Sequence, residues 1–456
     1  MDGAGARGAG SSAGLWGRFE QQDFRSRVRG ALLGAAIGDA LGTAAVPGPG
    51  TGPTAGHGTG LGAGPGAGRA AGAGAGGGAG HGPASAPGYA GGHGPASAPG
   101  YAGGHGLASA PGNGGSHGLA SAPGNGGSHG PASAPGYAGG HGAAGPAGGG
   151  RVGAGTQLVL FTVDGLIRAH VRRDTGAWHP PTDVHRAYLR WAATQRDWGP
   201  DERRKDNGWL GQQEWLYSRR NPDRASLTGF GDDTLGTLDR PKNPTARDAA
   251  AATRSAPFGL LVGWEPALVL QLAVECAAQS HGHPAAYLSA GAFAVIVHGL
   301  TRGDSPEVAV HRALGLLAAR PGHQPVTDAL QRALSAVTQG PPTPDRVGAL
   351  SPTADAEHAL ATAVYCTLVA EDIPHGLHLA VTHSPDPAAT GALCGALLGA
   401  LHGETALPAA RLATLEGRAT LLELADDFAL EMTQGPALHG PAAPSAPGWT
   451  DRYPPL

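Results

Sequence analysis

The chain has 456 residues, including 80 glycines and 39 prolines, and carries a formal net charge of −4 at pH 7. It has neither a basic surplus nor a basic stripe, so the composition argues against a nucleic-acid-binding protein. No uncharged apolar run reaches the roughly 18 residues of a membrane span, and the N terminus lacks the apolar core of a signal peptide. We therefore expect no membrane segment and a cytoplasmic location.

The first folded element is expected close to the N terminus. Residues 1–20 are predicted to form a flexible tail, and residues 24–43 a helix with small residues on one face. Each glycine inside a helix costs about 1 kcal/mol relative to alanine. Glycines in this helix therefore make sense only if another backbone or a ligand comes very close to it.

Residues 47–152 form a low-complexity stretch rich in glycine, proline and alanine. A twelve-residue unit recurs within it, and its copies begin at His81, His93, His105, His117 and His129. The unit has no aliphatic stripe that stacked copies could bury, so burial cannot offset the entropy of ordering it. We predict a disordered insertion that serves as a passive linker. Weak Zn²⁺ or Ni²⁺ binding by the spaced histidines is the alternative.

Helical periodicity begins after residue 155 and continues to about residue 434. Leu158, Val163 and Ile167 fall roughly on one helical face. Similar runs, separated by proline and glycine, lie at residues 183–197, 266–280, 285–302, 305–319, 325–338, 354–370, 388–402 and 418–432. Strand-like alternation is scarce. The sequence therefore predicts an all-α fold built from residues 21–46 and 153–434, followed by a proline-rich tail at residues 435–456.

The three cysteines do not suggest a disulfide framework. Cys276, Cys366 and Cys394 are odd in number, far apart in the chain and placed within apolar helical patterns. We predict that they are free thiols buried in the core as small hydrophobic side chains.

Four segments carry a resemblance to a known protein family. They run from Arg29 to Gly42, from Thr156 to Thr162, from Lys242 to Leu260 and from His383 to Glu431. A turn around His281 and His283 fits as well, although these two histidines favour a turn over a metal site. In content and order, the segments resemble the ADP-ribosylglycohydrolase family, which includes the dinitrogen-reductase-activating glycohydrolases.

The resemblance implies both a fold and a chemistry. The fold is a compact, orthogonal helical bundle. The chemistry uses two Mg²⁺ ions, or Mn²⁺ in some members, to bind ADP-ribose and help water cleave the bond at ribose C1″. Mg²⁺ requires hard oxygen ligands in octahedral geometry, and a pair of such ions orients the substrate and prepares the nucleophile.

The family's metal motifs are largely absent from this chain. Where the resemblance places Ser/Thr-Asp-Asp before Thr-Gln, the chain has Gly153, Ala154 and Gly155. Where it places Gly-Asp-x-Asp-Ser/Thr, only Asp386 keeps a carboxylate. The second aspartate and the hydroxyl are replaced by Ala388 and Ala389. One carboxylate cannot hold two divalent ions about 4 Å apart, so we expect no metal cofactor and no catalytic residue. Asp386 can instead cap the helix that follows it.

The family's phosphate-binding turn is changed too. Glycines there allow close approach of the backbone to phosphates, but this chain has residues 247–250, where Asp248 would repel a pyrophosphate. Possible cleft-lining residues remain, each with a structural alternative such as helix capping or an internal ion pair. They are Asp39, Thr156, Arg247, Arg254, His383 and Ser384.

Three functions stay open at this point. The favoured hypothesis is a catalytically inactive relative that acts as a binding or regulatory scaffold, with an unknown protein partner or a nucleotide-like ligand in the old cleft. The second is an active hydrolase that removes ADP-ribose from modified proteins or small molecules, with a rebuilt metal site. The third is a structural role for the repeat segment, with the helical domain as its anchor.

Overall fold

A computed structural model describes residues 18–45, 150–174, 178–196, 208–440, 446 and 448–454. All of these belong to one compact unit of the chain. The predicted N-terminal tail and the predicted insertion at residues 47–152 lie outside the described residues, apart from residues 18–20 and 150–152. Those last three residues belong to the helical unit, since Val152 is buried and its amide donates to Glu416 Oε2 over 3.1 Å.

The described residues form eighteen α-helices and no strand. In chain order the helices are α1 (Arg18–Ala45), α2 (Ala154–Asp174), α3 (Pro180–Thr194), α4 (Arg224–Gly229), α5 (Ala250–Thr253), α6 (Ala256–Gly259), α7 (Pro266–Ala278), α8 (Pro284–Leu300), α9 (Pro306–Leu317), α10 (Gln324–Val337), α11 (Pro344–Leu350), α12 (Ala356–Val369), α13 (Ile373–Thr382), α14 (Pro387–His402), α15 (Ala409–Thr414), α16 (Arg418–Gln434), α17 (Pro436–His439) and α18 (Trp449–Arg452). An isolated bridge joins Asp248 to Asp355. The predicted all-α fold is confirmed.

Helix α14 touches the second half of α1 backbone to backbone, from Gly30 to Gly42. A Cβ atom built on Gly30, Gly34 or Gly38 would come closer than 3.0 Å to the backbone of Gly399, Gly395 or Gly391, respectively. As the residue numbers increase along α1, the numbers of the contacted residues in α14 decrease, so the two helices run antiparallel. The close approach of another backbone, which the glycines of α1 required, is therefore supplied by α14.

Side-chain caps and prolines fix where several helices begin. Ser305 Oγ and Thr343 Oγ1 each accept a hydrogen bond from a backbone amide of the first turn, both over 3.3 Å, and a proline follows each of them. Proline at the first helical position lacks an N–H that would have no partner anyway, and its φ angle already suits a helix. These signals explain why the predicted helix starts lie close to the observed ones.

The C-terminal segment differs from the predicted proline-rich tail. Two short helices follow residue 434, and both Trp449 and Tyr453 are buried. Trp209 Nε1 donates to Tyr453 Oη over 2.9 Å, and Arg452 pairs with Asp427 over 2.6 Å. Two aromatic side chains offset the cost of ordering this short segment. The boundary at residue 434 therefore falls inside the folded unit.

Cys276, Cys366 and Cys394 are buried free thiols, as predicted. Within the described residues, no helix is long and apolar enough to cross a bilayer.

The glycine contact can be tested by one substitution made at two places. We expect Gly34→Ala to lower the free energy of unfolding by about 3 kcal/mol, since its Cβ would overlap the carbonyl group of Gly395 and the helices must separate. In α9, a Cβ on Gly315 would meet no atom within 4 Å. Gly315→Ala should therefore stabilise the protein by up to about 1 kcal/mol through helix propensity. Urea unfolding measures both changes, and equal effects at the two positions would contradict the backbone contact.

Candidate functional site

One cavity of about 650 Å³ lies where the N termini of α2 and α14 meet α1. The loops before α4 and α5 supply the rest of its wall. Four carboxylates line it, and they belong to Asp39, Asp223, Asp248 and Asp386. Pockets that hold small ligands usually have volumes of about 300–1,000 Å³, so this cavity is large enough to hold a small ligand.

Asp39 of α1 holds the N terminus of α2. Its Oδ2 atom accepts hydrogen bonds from the amides of Gly153 over 2.8 Å and Thr156 over 3.2 Å, and from the Thr156 hydroxyl over 2.5 Å. These amides have no acceptor inside α2, because the first turn of a helix leaves its N–H groups unpaired. Burial raises the pKa of Asp39, and the hydrogen bonds oppose that rise. Asp39 is therefore a helix cap supplied by a neighbouring helix.

The residues that stand at the positions of the family's two metal motifs line this cavity. Gly153, Ala154 and Gly155 line it from the start of α2, and Ala388 and Ala389 line it from the first turn of α14. None of these five residues has a side-chain atom that could bind a metal ion. A Cβ on Gly153 would also lie 2.7 Å from Asp39 Oδ1, so Asp39 must move before any side chain can fit there.

Asp386 is the carboxylate that these motif positions retain, and it caps α14. Its Oδ1 atom accepts a hydrogen bond from the amide of Ala389 over 3.0 Å, and Ser384 Oγ accepts one from the Asp386 amide over 3.1 Å. Burial raises the pKa of Asp386, and the nearby charge of Asp248 raises it further. Two Mg²⁺ ions need several carboxylate oxygens at one place. The residues at the motif positions therefore do not fit the family's pair of ions.

A second group of side chains lies at the wall of the cavity, and the sequence did not reveal it. His281 Nε2 is 2.9 Å from Asp248 Oδ1 and 3.7 Å from Asp223 Oδ1. Burial pushes the pKa of Asp248 upward, but the hydrogen bond and positive charge of His281 outweigh it and leave that pKa below its usual value. The three residues come from three separate loops, so no local spacing pattern could have predicted that they meet.

Arg254 lies in the core, where it does not line the cavity. Its side chain is fully buried, and its guanidinium carbon is 4.9 Å from the ring centroid of Tyr188 and 5.4 Å from that of Phe230. Nη2 donates to Ser280 Oγ over 2.6 Å. The sequence favours an internal ion pair for Arg254. Among the described residues, its partners are instead aromatic rings, a hydroxyl group and, at 3.4–3.5 Å, backbone carbonyls and the Ser226 hydroxyl.

The other predicted cleft residues lie around the cavity without lining it. The Thr156 hydroxyl donates to Asp39, which lines the cavity, and Arg247 pairs with Glu357. His383 ends α13, and Ser384 Oγ is 2.6 Å from Thr390 Oγ1 at the start of α14. The side chains of Thr156, Arg247 and Ser384 thus hold helices and loops together. Of the six predicted cleft residues, the structure thus places Asp39 alone on the cavity wall.

Three arginines that the sequence did not single out line the cavity on its α2 and α4 sides. Arg220 pairs with Glu416, whereas Arg151 and Arg219 are exposed. In the part of the chain that the structure describes, no carboxylate pairs with Arg151 or Arg219. Guanidinium groups bind phosphates and carboxylates through charge-assisted hydrogen bonds. The cavity therefore combines carboxylates in its wall with unpaired cationic groups at exposed positions.

Comparisons with known proteins bear on this site. A family model described as ADP-ribosylglycohydrolase matches residues 114–437, which is more than half of the chain. The matched stretch contains every cavity position named above except Asp39. A solved structure described as "ADP-ribosylglycohydrolase-related protein complex" is similar at 19% sequence identity with a TM-score of 0.49, over 91% of this chain and 99% of that one. No curated protein matches this chain.

Two substitutions at Asp39 should separate hydrogen bonding from charge. Asp39→Ala leaves the amides of Gly153 and Thr156 buried without an acceptor, and we expect a loss of about 2 kcal/mol in the free energy of unfolding. Asp39→Asn keeps one acceptor oxygen for the same donors, so it should stay within about 1 kcal/mol of the wild type. Urea unfolding at pH 7 measures both. Equal losses would show that the capping bonds are not what Asp39 contributes.

The pH dependence of stability in the wild type and in Asp39→Asn is a second test of the role of Asp39. The pKa of Asp39 lies above its ordinary value of 3.8 in the folded chain, so above about pH 4 the folded state binds more protons than the unfolded state. Stability from this group is therefore lost as the pH rises through that window. The wild type should lose stability relative to Asp39→Asn between pH 4 and pH 8, and a relative gain would contradict the raised pKa.

Proposed function

The chain belongs to the ADP-ribosylglycohydrolase family, and from its altered site we propose that it is a binding protein that does not catalyse the family's reaction. The observation that carries the proposal is the set of residues at the metal-motif positions. Gly153, Ala154, Gly155, Ala388 and Ala389 line the cavity without a ligand atom, and Asp386 caps α14. The cavity lies where the resemblance places the family's metal site, but these residues lack the ligand atoms that would hold two ions.

Hydrolysis at ribose C1″ needs the developing charge to be stabilised by groups already in place. Losing one such group typically lowers the rate by about 10²–10³. Here several are missing together, and Asp248 lines the cavity where the family's turn offers glycines to phosphates. The expected rate is therefore close to background even though the helical bundle is intact.

The ligand proposed for the cavity is a phosphate-bearing, nucleotide-like molecule. Arg151 and Arg219 are exposed along its wall and are available for phosphate groups. Asp223 and Asp248 accept hydrogen bonds, as ribose hydroxyls require. Because the backbone turn is replaced, we expect the phosphates to be held by these arginine side chains and to lie away from Asp248.

A second candidate is an active hydrolase with a rebuilt metal site, and the group Asp223, Asp248 and His281 favours it. This group offers donor atoms outside the two motifs, and two of its members, Asp223 and Asp248, line the same cavity. It lies at other positions than the motif ligands, so activity through it would need a different geometry of metal, ribose and water. An assay with more than one metal separates the two candidates.

We predict that the purified protein does not release ADP-ribose from ADP-ribosylated arginine in protein substrates. The assay compares Mg²⁺, Mn²⁺ and EDTA, with a family member that keeps both aspartate motifs run in parallel as the positive control. Calorimetric titration with Mg²⁺ should also give no pair of micromolar sites, because the motif carboxylates are missing. Release of ADP-ribose that depends on either metal and stops with EDTA would overturn the binding-protein proposal.

Binding of ADP-ribose itself tests the ligand. Calorimetry should detect binding to the wild type, and Arg219→Ala should weaken it about tenfold by removing a charge-assisted contact to phosphate. Arg332→Ala is the matched control, because Arg332 is an exposed arginine that does not line the cavity. Equal binding by the two variants, or no binding by the wild type, would contradict the proposed ligand.

A further inference from the structure

We propose that His281, Asp248 and Asp223 form a binding site for one divalent transition-metal ion at the wall of the cavity, separate from the family's two-metal motifs. The proposal does not depend on the binding function above, because the ion can be measured without any nucleotide. It rests on three observations, which concern the spacing of the donor atoms, the orientation of the imidazole ring and the charge of the cavity.

The spacing of the donor atoms suits a single ion. One ligand atom from each residue lies within 4.8 Å of the other two. His281 Nε2 is 2.9 Å from Asp248 Oδ1 and 3.7 Å from Asp223 Oδ1. Ligands about 2.0–2.2 Å from a common ion lie roughly 3–3.5 Å from each other in octahedral or tetrahedral geometry. The three side chains can therefore coordinate one ion with only small adjustments.

The imidazole ring of His281 is held in place from behind. The ring is fully buried, and its Nδ1 atom is 2.7 Å from Ser280 Oγ. Ser280 Oγ in turn accepts a hydrogen bond from Arg254 Nη2 over 2.6 Å. With Nδ1 held by Ser280, Nε2 faces the two carboxylates, and an incoming ion displaces the proton between Nε2 and Asp248 Oδ1 so that the Nε2 lone pair can bind it. Histidine ligands of metals commonly have this arrangement, in which the other ring nitrogen donates to an outer partner.

The two carboxylates are fixed by the backbone. Asp223 Oδ1 accepts a hydrogen bond from the amide of Ser226 over 2.6 Å at the start of α4. Asp248 Oδ1 accepts one from the amide of Ala250 over 3.1 Å, and the Asp248 backbone forms the bridge to Asp355. A carboxylate oxygen has two lone pairs, so each Oδ1 atom that accepts a backbone amide can also bind an ion. Little side-chain entropy is therefore lost when the ion binds.

The charge of the cavity favours a cation at this place. Asp39, Asp223, Asp248 and Asp386 all line the cavity, whereas the cationic side chains that line it are Arg220, which pairs with Glu416, and the exposed Arg151 and Arg219. Carboxylates that lie close together repel each other unless a cation compensates their charge, and the side chains of Asp223 and Asp248 are only partly exposed. An ion between Asp223 and Asp248 supplies that compensation, next to the one buried histidine of the group.

The donor set selects the kind of ion. Two carboxylate oxygens and one imidazole nitrogen suit Mn²⁺, Fe²⁺ or Zn²⁺, whereas Mg²⁺ and Ca²⁺ prefer ligands that are all oxygen. The site is thus compatible with the prediction that Mg²⁺ binds weakly. Three protein ligands leave positions open for water or for an oxygen of a bound ligand.

Titration of the full-length protein with Mn²⁺ alone, followed by the electron paramagnetic resonance signal of the free ion, tests the site. We expect one Mn²⁺ per chain. Asp248→Asn and Asp223→Asn should each weaken binding by at least about tenfold, because each removes a ligand charge. Asparagine also caps helices, so Asp223→Asn keeps α4 in place and carries the test if Asp248→Asn does not fold.

The matched control is Asp386→Asn, which changes a carboxylate of the same cavity outside the group. Its Mn²⁺ affinity should stay within about twofold of the wild type, because the variant removes one nearby charge but no ligand of the ion. A loss as large as that of Asp248→Asn would place the ion at the remnant of the family's motif and overturn the proposal. Wild-type binding weaker than about 1 mM, or unchanged binding in both group variants, would overturn it as well.

Discussion

The backbone contact between α1 and α14 is the constraint on which the cavity depends. Gly30, Gly34 and Gly38 face Gly399, Gly395 and Gly391, and side chains at these positions would force the two helices apart. The same contact continues to Gly42, which lies against the backbone of Pro387. The end of α1 is therefore fixed against the start of α14, and the two carboxylates nearest to that junction, Asp39 and Asp386, face one cavity.

Those two carboxylates show how the cavity keeps its shape with so few of the motif's ligands. Asp39 accepts hydrogen bonds from the first amides of α2, and Asp386 accepts one from the first turn of α14. A helix N terminus carries a partial positive charge that stabilises an acidic group beside it. Each carboxylate thus satisfies amides that would otherwise be unpaired. The starts of α2 and α14 are fixed by these caps, so the cavity keeps its shape without a metal ligand at the other motif positions.

Most of the fold could be predicted from sequence, because helix periodicity and start signals are local. The proline after Ser305 or Thr343 sets a helix start without reference to the rest of the chain. The C-terminal segment is harder to predict, because its prolines indicate a tail whereas the burial of Trp449 and Tyr453 depends on distant partners such as Trp209. The motif positions at the cavity could be located by resemblance. Arg254 could not be placed, because a lone arginine gives no indication of the aromatic rings around it.

Asp248 has a part in both proposals for the site. At the position where the family's turn offers glycines to a phosphate, a carboxylate both repels the phosphate and accepts a hydrogen bond from His281. A carboxylate at this place makes this part of the wall better suited to a cation than to an anion. Arg151 and Arg219 provide positive charge at other positions around the cavity. A phosphate-bearing ligand would then lie nearer to these arginines than the resemblance implies, with its uncharged hydroxyl groups directed towards Asp223 and Asp248.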